Sequence, residues 1–489
     1  MDIPILIEDL SEWSSSGKIH HSELSDWLSL LQPQSKSGLL KLLNAPLLKD
    51  RSMARQLMRS WVGKQLLDEL SDLVRLDDDR SGIKVLNTLE DLLDEQPEVS
   101  TINLLEGLPA QSIFLDLDGL LELAERWRIA LQDQQKLVLS LGKLKTDIRT
   151  DSYPHDAIAN SYLTSSILIP LEVAHRINSL LLEVWLPQSK DINRSSWIVF
   201  MPGLGGSHDH FRWLARTLSD KGWPVILLEH PGSDVKAVKE LLEGNNVLPG
   251  AEVIPDRLSD LQAVIDFKDS GGLDISEENL ILMGHSLGSL TAFLAAGAIP
   301  QEGLAKRCEK ALDDLSVTNL SQLLQCQLID VQLEKQRPLP NLSSIVALNS
   351  FGSLLWPNEA DAEITVPVFL LGGTLDLITP PIQEQLGLLV STSPHPFSRA
   401  LLVEGASHFS PVRVEGQDKF ESGNDLFQLD DALVGDNPLS VQYLFGKEII
   451  RYLEALEKSK GVASSVHIKN GDVRLHLMDR LSVKEILSF

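Results

Sequence analysis

Cysteine is almost absent from this 489-residue chain, which holds only Cys308 and Cys326. That number excludes a disulfide framework. Both read as small buried hydrophobes, with a single bridge between them as the alternative. Positive charge is short too: 43 Lys and Arg stand against 69 Asp and Glu, a formal net charge of −26 at pH 7. Such a chain lacks the basic stripe that a phosphate backbone requires, so nucleic acid is excluded as a partner. No basic segment precedes an apolar run in the opening MDIPILIEDLSEW, and no secretory signal is read there. A cytoplasmic location is the expectation, export of a longer precursor being the alternative. Long strongly apolar stretches are scarce, and the one that stands out is ILMGHSLGSLTAFLAAGAIP, residues 281–300, which has no Asp, Glu, Lys or Arg. Its order argues against a lipid-spanning helix. Two glycines bracketing a histidine and a serine suit a strand, a sharp turn and a helix. The chain is read without a transmembrane segment, and peripheral membrane contact is left open.

What is present divides in two, as the length suggests. Up to about residue 150 the pattern is helical. SELSDWLSLLQ (22–32), MARQLMRSWVGKQLLDELSDLV (53–74), GIKVLNTLEDLLDEQ (82–96) and DGLLELAERWRIALQDQQKLVLSLGKL (118–144) repeat apolar residues at i, i+3, i+4 and i+7. Polar breaks such as QPQSKSG (32–38) separate them. An all-helical domain over 1–150 is expected. Beyond it, short β-branched runs alternate with helical segments: SSILIPL, SLLLEVWLP, SSWIVFMP, WPVILLEH, ENLILMG, SSIVALN, VPVFLLGG and ALLVEG. Eight strands are expected, the first two as a hairpin and the rest largely parallel with helical crossovers. This α/β domain is assigned to 151–460, with 461–489 as a C-terminal extension. Two long connections, 233–256 and the helical 301–342, are candidate lids.

The chemistry-bearing residues sit at strand ends. Gly284-x-Ser286-x-Gly288 joins an expected strand to an expected helix, a turn so tight that flanking side chains would collide. It would lift the Ser286 hydroxyl above the sheet at a helix N-terminus, which favours developing negative charge. A nucleophilic serine needs a base, and the base needs an orienter. Asp376, in GGTLDLITPP, and His408, in LLVEGASHFSP, each follow a strand and fill those roles. The plainer readings are a turn cap before Pro380-Pro381 and a surface-loop histidine. The preceding strand end, Leu348-Asn349-Ser350, offers no carboxylate. Two backbone donors are expected for an oxyanion: the N–H of Leu287, and that of Leu204 within Pro202-Gly203-Leu204-Gly205-Gly206. A plain glycine turn is the alternative for that loop. His285 is expected to pack beside the turn and His230 to shape a strand end. His208-x-His210 has too few partners for a metal site, and His20-His21 reads as an exposed pair. No cofactor or metal is expected.

At PGLGGSHDHF, GHSLGS, GGTLDLITPP and GASHFS together, the chain resembles the α/β-hydrolase superfamily. Residues 160–460 are most similar to the branch of platelet-activating-factor acetylhydrolase-like and dienelactone-hydrolase-like proteins. IPDRLSDLQAVIDF (254–267) resembles an Arg-x-x-Asp segment before a helix in that branch. Residues 3–145 look like the helical N-terminal domain of cyanobacterial α/β hydrolases of unknown substrate. The resemblance implies an α/β-hydrolase fold, an eight-stranded mostly parallel sheet with a helical lid, preceded by an all-α domain. It implies a serine hydrolase cleaving carboxylic esters, lipid or other acyl esters, with a small-molecule substrate and no cofactor. Dienelactone hydrolases proper use a cysteine where this chain has Ser286, which disfavours a dienelactone substrate. A thioesterase or acyltransferase is the nearest rival. A hydrolase fold kept as a binding module is the rival from another class, and an intact Ser/Asp/His set counts against it.

Overall fold

Apolar residues at helical spacing need a partner surface, and in the first 116 residues they find it partly in strands. The computed structural model describes the chain except residues 1, 19–21, 30–32, 45, 49–73, 77–82, 97–98, 117–128, 130–131, 145–146, 151–164, 189–191, 243–249, 314–318, 334–338, 358–363, 414–437, 459–460, 471–472 and 489. The chain divides into two compact units: Met1–Ala130 with Val238–Leu248, and Leu131–Ala237 with Pro249–Phe489. In the first, β1 (Asp2–Leu6) pairs with a strand more than a hundred residues away, Ser112–Asp116, placing Ile5 opposite Ile113. With β2 (Pro46–Leu48), β3 (Val74–Arg75), β4 (Val99–Ser100) and β5 (Ser112–Asp116), it forms one three-stranded sheet, β1-β5-β3, and one two-stranded sheet, β2-β4. The all-helical expectation is therefore corrected. Helical periodicity dominates the segment, and strands of two to five residues leave little trace beside it.

Helices Ile7–Ser16, Glu23–Ser29, Pro33–Asn44, Ile83–Glu95 and Thr101–Gly107 accompany these strands. Leu10, Trp13, Leu24, Leu28, Ile102 and Leu105 fill a core with Ile5 and Ile113. The stretch read as a break, QPQSKSG, instead opens the Pro33–Asn44 helix, with proline in the first turn where its missing N–H costs nothing. The expected helix at 53–74 lies outside the described residues except its last position, which is in β3. Of the expected helix 118–144, residues 132–143 are described and helical.

The second unit carries one sheet of eleven strands. Its members are β6 (Asp147–Thr150), β7 (Ser166–Leu171), β8 (Leu180–Trp185), β9 (Ser196–Met201), β10 (Val225–Leu228), β11 (Asn279–His285), β12 (Leu342–Leu348), β13 (Val368–Gly373), β14 (Arg399–Val403), β15 (Val466–Asn470) and β16 (Val473–Asp479). Their order is β6-β15-β16-β14-β13-β12-β11-β9-β10-β8-β7. All eight expected strands are present, β7 and β8 as an antiparallel pair and β10-β9-β11-β12-β13-β14 in parallel. Continuous apolar runs follow because both faces are covered. Along β9, Trp197, Val199 and Met201 enter one core, and Ile198 and Phe200 enter the other. The presumed extension 461–489 is part of this sheet. Arg399–Val403 pairs antiparallel with Val473–Asp479, which buries Leu475 and Leu477, and helix Arg480–Leu487 follows.

The 301–342 connection holds helices Leu304–Asp313 and Ser321–Gln327, and Cys308 and Cys326 bridge them with their Cα atoms 5.5 Å apart. Reading the two cysteines as separate hydrophobes is thus corrected. Both are buried, but facing one another across two helices. Further fastenings come from Glu384, a buried carboxylate. It accepts from Asn319 Nδ2 (2.7 Å), Ser321 Oγ (3.2 Å) and Gln325 Nε2 (3.1 Å) on the insert. On the loop after β12 it accepts from the Gly352 and Ser353 amides and the Ser353 hydroxyl (2.7, 3.0 and 2.6 Å). Ser321 N also donates to Ile378 O at 2.9 Å, beside Asp376. These contacts tie the described part of the insert to the loops after β12 and β13. Of the 233–256 connection, residues 243–249 lie outside the described part.

A bridge closing a loop of eighteen residues should contribute about 3 kcal/mol through the unfolded state. The Cys308→Ser/Cys326→Ser double variant should melt several degrees below the parent in calorimetry. Dithiothreitol should lower the parent to the variant's value and leave the variant unchanged.

Candidate active site

Ser286 lies between the end of β11 and helix Leu287–Ala295, at φ 51° and ψ −117°. A side chain at positive φ is strained, and such strain persists only where neighbours over-determine it. Here the Ser286 amide donates to Leu348 O (2.9 Å), and Ser289 Oγ donates back to Gly284 O (2.7 Å). The flanking glycines are sterically required. A Cβ on Gly284 would meet the Gly288 carbonyl carbon at 2.4 Å, and one on Gly288 would meet Met201 O at 1.9 Å. The strand–helix junction is thereby pressed against the end of β9 and the Pro202–Gly206 loop. Gly203 in that loop comes close enough that a Cβ there would lie 3.1 Å from Ser286 Cβ. The N–H groups of Leu204 and Leu287 have no backbone acceptor among the described residues. Gly205 N is committed to Ser233 O (2.8 Å) and Gly206 N to Gly203 O (3.1 Å).

Asp376 and His408, on the loops after β13 and β14, meet directly, with His408 Nδ1 3.0 Å from Asp376 Oδ2. The carboxylate is buried and saturated. It accepts from Asn349 Nδ2 (2.7 Å) and Thr379 Oγ1 (2.6 Å) on Oδ2, and from the Ile378 and Thr379 amides (3.0 and 2.8 Å) on Oδ1. Burial alone would raise its pKa. Attraction to His408, with hydrogen bonds from His408 and Thr379, outweighs that and holds the group below its ordinary value. An ionised Asp376 fixes Nδ1 of His408 as the protonated nitrogen and leaves Nε2 as the basic one. Ser286 and His408 are linked through His285, whose Nε2 lies 3.0 Å from His408 O and whose ring packs 4.9 Å from the His408 ring. The Ser286 hydroxyl itself makes no hydrogen bond among the described residues.

Several residues of this arrangement were not legible from sequence. Asn349 is noticeable there only as a missing carboxylate, yet at φ 46° its amide reaches Asp376 across 27 positions. Thr379 was hidden in a proline turn. His230 does shape a turn, accepting Ser233 N at its carbonyl (3.1 Å), but its Nδ1 also lies 2.9 Å from the buried Asp260. His285 packs beside the turn, as expected. No group of three His, Cys, Asp or Glu side chains that could hold a metal occurs among the described residues.

Residues 196–305 match a family model described as alpha/beta hydrolase fold, and residues 1–116 match one described as an alpha/beta hydrolase of unknown function (DUF1400). No curated protein matches the chain significantly. The sheet order, with β9 to β12 running through the matched segment and beyond, is that of an α/β-hydrolase fold, and both matches support membership of that superfamily. No described helix is long and apolar enough to cross a membrane.

Two measurements follow from this geometry. Gly288→Ala should cost more than an ordinary helix Gly→Ala change would gain, because its contact is a backbone carbonyl that cannot rotate away. A loss of about 3 kcal/mol or failure to accumulate soluble protein is expected, read by urea unfolding. Burial also pushes His285 and His230 down from 6.5 to about 3. Between those values the unfolded chain binds more protons than the folded one, so stability rises with pH across that window. The contribution is complete above about pH 6.5 and lost as pH falls toward 3. The melting temperature should therefore drop from pH 6.5 to 4, and His230→Gln should make that drop shallower.

Proposed function

We propose that this α/β-hydrolase-fold protein is a serine hydrolase that cleaves carboxylic esters through an acyl-enzyme on Ser286. The observation that carries the reading is a positive-φ serine at a strand–helix junction, accompanied by a histidine whose Nδ1 is seated on a buried carboxylate. His408 Nε2 takes the proton as Ser286 Oγ attacks the ester carbonyl, and Asp376 stabilises the imidazolium that results. The oxygen that becomes negative is received by the N–H groups of Leu204 and Leu287, assisted by the dipole of helix Leu287–Ala295. Collapse expels the alcohol with the proton from His408. Water then repeats the sequence in reverse and frees the acid. The serine-to-histidine hydrogen bond, open here, is one that in many hydrolases closes only with substrate bound.

Lipid or other acyl esters are the proposed substrate class. The same residues would serve a thioesterase, or an acyltransferase if an alcohol replaced water as acceptor. The Cys308–Cys326 bridge favours an oxidising compartment over the cytoplasmic location expected from sequence.

A fluorophosphonate probe should label the protein, and p-nitrophenyl esters of graded chain length should be turned over. Ser286→Ala should abolish labelling and lower kcat on the order of 10⁶-fold. Asp376→Asn should lower it around 10⁴-fold, because the imidazole would be held in the wrong tautomer. Unchanged turnover in Ser286→Ala would reject the mechanism. An acyl thioester offered with an alcohol acceptor separates the rival activities by its product.

A further inference from the structure

A buried arginine usually faces a carboxylate, and Arg257 does not. It sits in the first turn of helix Ile254–Asp269, 1% exposed. The nearby Asp260 is taken by other groups: Arg176 Nε and Nη2 (2.9 and 2.6 Å), His230 Nδ1 (2.9 Å) and His175 Nε2 (2.7 Å). Arg257 directs its donors elsewhere. Nη2 donates to Pro202 O at 2.5 Å, Nη1 to Ser233 Oγ at 2.8 Å, and Nε to Thr291 Oγ1 at 3.1 Å.

Each acceptor leads to one side of the oxyanion site. Pro202 opens the loop that carries Leu204. Ser233 closes the same loop from its far end, because its carbonyl accepts Gly205 N at 2.8 Å. Thr291 lies on the helix that begins with Leu287, and its hydroxyl donates to Leu287 O at 2.8 Å. One planar guanidinium thus grips the loop at both ends and the helix opposite. Its fork geometry fixes the directions of all three bonds. Two amides that must converge on one oxygen tolerate little error in their separation.

We propose that Arg257 is a positioning residue that sets the spacing of the Leu204 and Leu287 N–H groups around the oxyanion. Desolvating a guanidinium is costly, and an apolar side chain of similar volume often serves stability equally well. The role in catalysis rests on the proposed Ser286 chemistry; the grip on the two backbone segments does not.

Arg257→Lys keeps the charge but cannot span three acceptors, and Thr291→Val removes only the helix link. Both variants are to be compared with the parent by three measurements. The first is kcat and KM on a short p-nitrophenyl ester per fluorophosphonate-titrated site. The second is inhibition by a boronic acid, which forms a tetrahedral adduct on serine. The third is hydrogen exchange in peptides covering 202–206 and 286–290.

Arg257→Lys should lose ten- to hundredfold in kcat, with KM changed less than about threefold. Boronate affinity should weaken by the same factor as kcat/KM, and exchange should quicken in both peptides. Thr291→Val should show a smaller loss, with faster exchange confined to 286–290. A purely structural role would lower the titrated fraction or the melting temperature and leave per-site kcat and boronate affinity unchanged, which overturns the proposal. Should the variants fail to fold, kinetics of a Ser233→Ala variant, which loses the Nη1 acceptor together with the hydroxyl's bond to His230 O, carry the same test. If the parent shows neither labelling nor turnover, the Ser286 reading has failed. The grip of Arg257 is then judged on exchange alone, and unchanged exchange in Arg257→Lys rejects it.

Discussion

Between Gly288 and the Met201 carbonyl there is no room for a methyl group, since a Cβ would sit 1.9 Å from the oxygen. That close approach brings the first turn of helix Leu287–Ala295 against the end of β9, so the chain leaving β11 must turn within one residue. Ser286 takes the turn at positive φ. Its strain is sustained by the Leu348 carbonyl on the neighbouring β12 and by the Ser289 hydroxyl. Everything proposed for the site depends on this junction. It raises the serine above the sheet and presents the helix N-terminus to it. It also brings the Pro202–Gly206 loop within reach.

Buried carboxylates then join the loops that surround the junction. Asp376 is shared by groups from the ends of β12, β13 and β14, Asp260 by the turn after β7 and the end of β10, and Glu384 by the 301–342 insert and the loop after β12. A charge removed from water is costly unless several donors receive it. Each of the three has at least four, drawn from segments far apart in the chain. Such centres suit a fold whose proposed catalytic side chains sit on loops, because a sheet fixes only where each loop starts. The insert illustrates the consequence. Its two described helices are joined by the Cys308–Cys326 bridge, and Glu384 ties the second of them to the loop after β12.

Much of the second unit was legible because its signals are local. A β-branched run of six or seven residues, a glycine pair spaced by four, a proline turn after a strand: each is written within a few positions. They located all eight expected strands, the Ser286 junction and the loops bearing Asp376 and His408. The first unit was less legible. Helical periodicity over long segments concealed the short strand Asp2–Leu6, whose partner Ser112–Asp116 lies far along the chain. The alternation in VRLHLMD, residues 473–479, could have revealed β16, and a C-terminal position alone made it look like an appendage.

Relations between distant residues were not written locally at all. Nothing near Cys308 specifies Cys326 as its partner. Nothing near Asn349 or Thr379 announces that both donate to Asp376. Arg257 shows the same limit most clearly. Its sequence neighbour one turn on is Asp260, and a helix rule would pair the two. In the folded chain Asp260 is claimed by Arg176 and two histidines, and Arg257 turns to Pro202, Ser233 and Thr291. Periodicity and turn chemistry act over a few residues and settle which elements form. The partner of a buried polar group depends on which donors and acceptors packing brings within 3 Å, and that is a property of the assembled sheet, its helices and its loops.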